Sequence, residues 1–224
     1  MTKFHQEHYG EFKKSIVLDE TWASKNIENW WKYVTGEKNS KLPQGNITRQ
    51  TLKEICRGNQ YTDKECVGAI MAWGGQNRKH GHILFSRMDE ITPIINAMRH
   101  DLISHVEAYD KFDQIWQLKE PLGMGAAYFT KLIFFCSPKH NGYIMDQWTS
   151  KSVNLLCDEA IVQLTSGYVS KKNNSQIYQK FCNIIEEISK DIKGPAENVE
   201  MAMFSKGGRN KAAWRQYVVD HYSI

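Results

Sequence analysis

Apolar residues return at helical intervals along nearly the whole of this chain, and strand-like alternation is nearly absent. The segment SQIYQKFCNIIEEISKDI shows the pattern most cleanly. Its residues 177, 181, 184, 185, 188 and 192 are apolar, a stripe along one face of an amphipathic helix. In TWASKNIENWWKYV the stripe is Trp22, Ile27, Trp30, Trp31 and Val34. Thr62 and Glu65 have the spacing of a capping box, and Gly74 and Gly75 mark the end of that helix. ITPIINAMRHDLISHVEAYDKFDQIW reads as two helices or one bent one. Pro195 suits the first turn of a helix through Met203. A last helix, from Asn210, carries Ala213, Trp214, Tyr217 and Val218. HILFS and GYIM are too short to found a sheet. The expectation is an all-α fold of many short helices, one domain over residues 1–224, of a kind that can form two lobes with a cleft.

A chain of 224 residues, 41% hydrophobic and 24% charged, can bury a real core. No apolar run approaches the roughly 20 residues of a membrane span, and MTKFHQEHYGEFKK lacks the apolar centre of a signal peptide. A cytoplasmic protein with no membrane partner is expected. Cys56, Cys66, Cys136, Cys157 and Cys182 are scattered, with no C-x-x-C pair, and are expected as small core residues. His80 and His82 are the nearest approach to a metal pair and lack a third ligand, so no metal or cofactor is expected. The net charge of +4 permits a nucleic-acid partner without requiring one. Lys206, Arg209, Lys211 and Arg215, in SKGGRNKAAWR, form either a solvated face or a phosphate-contacting patch, with the glycine pair allowing close backbone approach.

The chemistry-bearing stretches are GMGAAYFTKLIFFC, residues 123–136, and YIMDQW, residues 143–148. Each sets one charged group, Lys131 or Asp146, in apolar surroundings, where burial is costly. Gly123 and Gly125 can take positive φ and expose backbone N–H groups at the start of the next helix, an end that attracts phosphate. Pro138 and Asn141-Gly142 stop that helix, and Lys131 lies one turn after Ala127 on the same side. Asp146 stands where an N-cap would stand, so backbone N–H groups and the helix dipole favour its carboxylate. Two helices joined by this short return would direct Lys131 and Asp146 toward one gap.

PLGMGAAYFTKLIFF followed by GYIMDQW resembles the helix-hairpin-helix DNA glycosylase superfamily. It is most similar to the 8-oxoguanine DNA glycosylase branch, with its archaeal and small bacterial versions. The family pattern is a glycine hairpin of L-P-G-V-G type, a catalytic lysine, and an aspartate opening the next helix. Gly123, Met124 and Gly125 match the hairpin, Asp146 matches the aspartate, and Trp148 follows closely. The eukaryotic pattern puts its lysine two residues after the second glycine, where this chain has Ala127. Lys131, one turn later, takes that role here, as in the archaeal branch, whose lysine lies deeper in the helix. The hairpin proline is shifted by one position. The resemblance is specific over about residues 118–156.

The resemblance implies a multi-helix glycosylase fold, a monomer, and double-stranded DNA containing a modified purine as partner. It implies an N-glycosylase with apurinic or apyrimidinic lyase activity. Asp146 stabilises the positive charge that develops on the sugar, and Lys131 attacks C1′ and forms a Schiff base. The base must leave the stack, so a pocket is needed; Trp73, Phe135 and Trp148 are candidates for it, and Gln76 and Asn77 could read base edges. Gly123, Gly125, Lys206, Arg209 and Lys211 are the candidate DNA contacts. Two other readings stay open: the same fold acting on a modified base in antiphage defence, and a non-catalytic helical DNA-binding module.

Overall fold

Most helices of this structure begin where a side chain can accept the first free backbone N–H groups. It is a computed structural model that describes residues 2–16, 26–37, 40–139, 141–205, 209 and 211–222. The helices are α1 (Gln6–Lys14), α2 (Ile27–Thr35), α3 (Arg49–Arg57), α4 (Asp63–Trp73), α5 (Arg78–Phe85), α6 (Met88–Arg99), α7 (His105–Gln117), α8 (Ala126–Cys136), α9 (Gln147–Leu156), α10 (Ser175–Ile192), α11 (Ala196–Phe204) and α12 (Ala213–His221). Asn26, Thr48, Thr62, Asn77, Ser104, Asp146 and Asn174 each cap the helix that follows through a side-chain oxygen. Among the described residues the fold is all-α apart from one small hairpin, β1 (Leu164–Thr165) and β2 (Tyr168–Val169). Ser166 and Gly167 between them both have positive φ, 51° and 80°, the two-residue turn that matches strand twist. Two-residue strands carry no alternation, which is why the pattern does not reveal them. HILF forms part of α5, and the proposed bent helix is two, α6 and α7. Trp22, Lys206 and Asn210 lie outside the described residues. No helix among the described residues is long and apolar enough to cross a membrane.

Backbone contacts group the chain into two compact units, Glu20–Gly142 and Met1–Asp19 with Tyr143–Ile224. In Glu20–Gly142, α4 is buried from Glu65 to Trp73 and α8 from Phe129 to Cys136. Helices apolar on nearly every side belong at the centre of a unit. Trp31 of α2 presses on Gly68 of α4 so closely that an added Cβ would meet the indole at 2.5 Å. Phe112 of α7 stacks on Phe129 of α8 at 5.5 Å between ring centroids.

In the other unit α9 is the core helix. Ser152 Oγ donates to Met203 O and accepts from Trp214 Nε1, both at 2.9 Å, so one hydroxyl ties α9 to α11 and α12. Asn154 holds residues 161–162 by accepting both backbone N–H groups and donating to Val162 O. The N-terminal segment is stitched to the end of α9 by a Phe4–Cys157 bridge and by His5 N donating to Leu156 O at 2.9 Å. All five cysteines are buried free thiols.

Arg99 shows how strongly one buried cation can organise a loop. Its guanidinium donates to Cys56 O at 2.9 Å, Gly58 O at 2.6 Å and Tyr61 O at 3.0 Å, and pairs with Asp63. Both partners of that ion pair are largely shielded from solvent, whereas the Lys64–Glu37 pair is open to it. Removing one member of a buried pair strands the other, so Arg99→Met is expected to cost about 3–5 kcal/mol. Lys64→Ala is expected to cost no more than about 1 kcal/mol. Urea midpoints at constant m-value measure both.

Candidate active site

Within Glu20–Gly142, the chain leaves α7 and returns through residues 118–125 to α8. Gly123 sits at φ 76°, and a Cβ there would lie 2.4 Å from His80 O and 2.7 Å from Leu84 N. Only glycine fits, because both the dihedral and the approach to the α5 backbone exclude a side chain. Gly125 is extended, and its Cβ position would be 3.1 Å from the Trp116 ring. No side chain caps α8, so its first N–H groups have no side-chain acceptor from the N-cap. Gln76 is turned inward: Nε2 donates to Gly123 O at 2.8 Å, and its own backbone carbonyl accepts from Trp30 Nε1 at 2.8 Å. Its Oε1 is buried with no hydrogen-bond partner among the described residues. Two residues singled out for separate tasks, a base-edge reader and a phosphate contact, therefore hold each other.

Lys131 is 9% exposed in the middle of α8. Side chains on a helix lean toward its N-terminus, and Nζ reaches back to donate to Ala127 O at 2.7 Å. The amine thus lies one turn back, at the level of the position where the eukaryotic pattern has its lysine. Nζ is 5.1 Å from the centre of the Tyr128 ring. The stem runs beside Gly74: a Cβ there would lie 3.3 Å from Lys131 Cδ and 3.2 Å from the Tyr128 ring. Tyr128 OH also reaches Gly74 O, at 3.4 Å. Trp73 and Phe135 meet edge to face at 5.1 Å, and Phe135 is 0% exposed, enclosed in the core of this unit. Asn77 is exposed and caps α5 by accepting from Lys79 N at 2.8 Å; His80 and His82 are exposed on the same helix.

In the unit that contains Tyr143–Ile224, Asp146 caps α9. Oδ1 accepts from Trp148 N at 2.7 Å and Thr149 N at 3.0 Å. Thr149 Oγ1 accepts from Asp146 N at 3.0 Å and donates to Ile144 O at 2.8 Å, which locks the turn reciprocally. Asp146 is 7% exposed, and its Oδ2 takes no hydrogen bond from any described residue. Trp148 is half-buried, with the Arg215 guanidinium 3.9 Å from its ring centre and Lys151 Nζ at 4.8 Å. Arg215 is 5% exposed, and its Nη2 donates to Phe204 O and to Ser205 O. Burial pushes the guanidinium down to about 10, against the opposing pull of the Asp146 charge. Arg215 therefore does not belong to a solvated basic run, whereas Arg209 and Lys211 are exposed.

Sequence reasoning misses four neighbours. Thr149 could have been read from the D-x-x-T spacing of a capping box, and Tyr128 from its place three residues before Lys131. Gly74 and Arg215 come from other elements and leave no local signal.

A sequence model of the family described as "Putative 8-oxoguanine DNA glycosylase OGG-like protein" matches residues 14–204. The match covers most of the chain, and the protein belongs to this DNA glycosylase family. Comparison with curated proteins and with solved structures returned no match.

Gly123→Ala tests the hairpin. The left-handed dihedral and the contact with the α5 backbone together are expected to cost at least about 2 kcal/mol in urea denaturation.

Proposed function

We propose that this protein excises an oxidised purine of the 8-oxoguanine type from double-stranded DNA and then nicks the strand, with Asp146 and Lys131 as the reacting groups. One observation carries the reading. Asp146 is fixed through Oδ1 alone, and its other oxygen is left without a hydrogen bond from the described residues. A second buried carboxylate, Glu65, shows the structural alternative. Its Oε1 accepts from Lys41 N, and its Oε2 accepts from Thr62 N and Oγ1. Burial pushes Glu65 up, but these hydrogen bonds outweigh it and hold the carboxyl below its ordinary range. A carboxylate kept only for capping would be satisfied in the same way; Asp146 is held rigid and left half open.

The family supports a flipped purine nucleoside as substrate. As the N-glycosidic bond lengthens, positive charge grows on the deoxyribose, and Asp146 Oδ2 stabilises it. The Lys131 amine, once deprotonated, forms a bond to C1′ while the bond to the base breaks and the base leaves with a proton. Ring opening gives an iminium between Lys131 and C1′. Loss of a C2′ proton then expels the 3′ phosphate by β-elimination. The uncapped N-terminus of α8 beyond Gly123 and Gly125 offers N–H groups to a DNA phosphate in the manner of a helix-hairpin-helix motif. Arg209 and Lys211, with Lys206, contribute long-range attraction. Trp148 presents its uncovered edge to the extruded base. Trp73, Phe135 and Gln76 buttress the elements around Lys131, since Phe135 is enclosed and Gln76 Nε2 already binds Gly123.

A panel of duplexes, each with one modified base, assayed for base release and nicking, identifies the substrate. With the active duplex, borohydride is expected to trap a covalent protein–DNA adduct, and Lys131→Gln is expected to abolish it. Trapping that survives the substitution would place the nucleophile elsewhere. Salt-sensitive binding without release from any duplex would leave a DNA-binding module.

A further inference from the structure

We infer that Arg215 is a positioning residue for Asp146, acting through Trp148 and through its charge; this rests on the glycosylase reading above. Two shielded guanidiniums, Arg99 and Arg215, differ in what satisfies them. Arg99 has a carboxylate partner and carbonyl acceptors for the rest of its fork. Among the described residues Arg215 has two carbonyl acceptors, both on Nη2, no carboxylate in hydrogen-bond contact, and no acceptor for its buried Nε. As a stability device this is poor, because an apolar side chain of similar shape would fill the same space without stranding a donor.

What Arg215 touches accounts for the arrangement. Its guanidinium lies 3.9 Å over the Trp148 ring, and the Trp148 backbone N–H is the shorter of the two bonds that hold Asp146 Oδ1, at 2.7 Å. A cation stacked on the indole restrains the residue that fixes the carboxylate. The Asp146 charge also attracts this cation, with no hydrogen bond joining the two among the described residues. Oδ2 therefore keeps its lone pairs for substrate while the carboxylate gains a favourable field. The carbonyls of Phe204 and Ser205 aim the guanidinium, and Ser205 is held at φ 52° where it receives Nη2. The arginine whose charge places it in a basic surface run is thereby assigned to the interior.

Two substitutions separate this role from packing. Lysine and methionine have similar length, so a packing role predicts that Arg215→Met does at least as well as Arg215→Lys. Positioning by charge predicts the reverse. With folding checked by thermal melts and DNA affinity by titration, Arg215→Met is expected to lower single-turnover base release about 30-fold without weakening binding, and Arg215→Lys to stay within about fivefold of wild type. In an Asp146→Asn background, Arg215→Met is expected to cause no further loss, because the two substitutions remove one coupled interaction. An active wild type whose rate is indifferent to Arg215→Met, or whose losses multiply independently in the double variant, overturns this assignment alone. A wild type that releases no base from any duplex removes the reaction, and the role of Arg215 with it.

Discussion

The start of α9 is where the proposed chemistry shares a side chain with the fold's stability. A helix leaves its first N–H groups unpaired, and a carboxylate at the N-cap satisfies two of them while lying at the favourable end of the dipole. Asp146 does this with Oδ1, and Thr149 closes the turn from the other side. α9 is in turn the helix to which the rest of its unit is tied. Ser152 links it to α11 and α12, Asn154 holds the following loop, and its end pairs with the N-terminal segment. The carboxylate is thus built into an element tied to several others of its unit, with one oxygen left over.

Lys131 is placed by a parallel economy of parts. α8 is apolar enough to be buried on nearly every side, and the lysine survives there because its stem lies beside Gly74 and its amine finds Ala127 O one turn back. Tyr128 shapes the same corridor. The glycine that precedes α8 keeps its N-terminus free of a side-chain cap, while Gly123 lets the returning chain press on α5.

Much of this was legible because it is local. The cap at Asp146, the capping box at Thr62 and Glu65, the breaks at Gly74 and Pro138, and the long amphipathic α10 all follow from spacings of a few residues. What was not legible depends on partners far along the chain. Phe4 bridging Cys157 brings the N-terminus into the unit that begins again at Tyr143, and nothing near either residue announces it. A charge pattern shows that Arg215 is basic but not that it is buried. Gly74 reads as a helix stop, and its second task, making room for Lys131, appears only when α4 and α8 are packed. Gln76 reads as a polar loop residue, although its side chain is committed to Gly123.

The central claim is that Asp146 divides its two oxygens between capping and catalysis, and Asp146→Ser measures it most directly. Serine caps a helix about as well as aspartate but brings no carboxylate. The account predicts a urea midpoint that changes stability by no more than about 0.5 kcal/mol, together with a fall of at least about 100-fold in single-turnover base release. A serine variant that is equally stable and releases the base at the wild-type rate would contradict it.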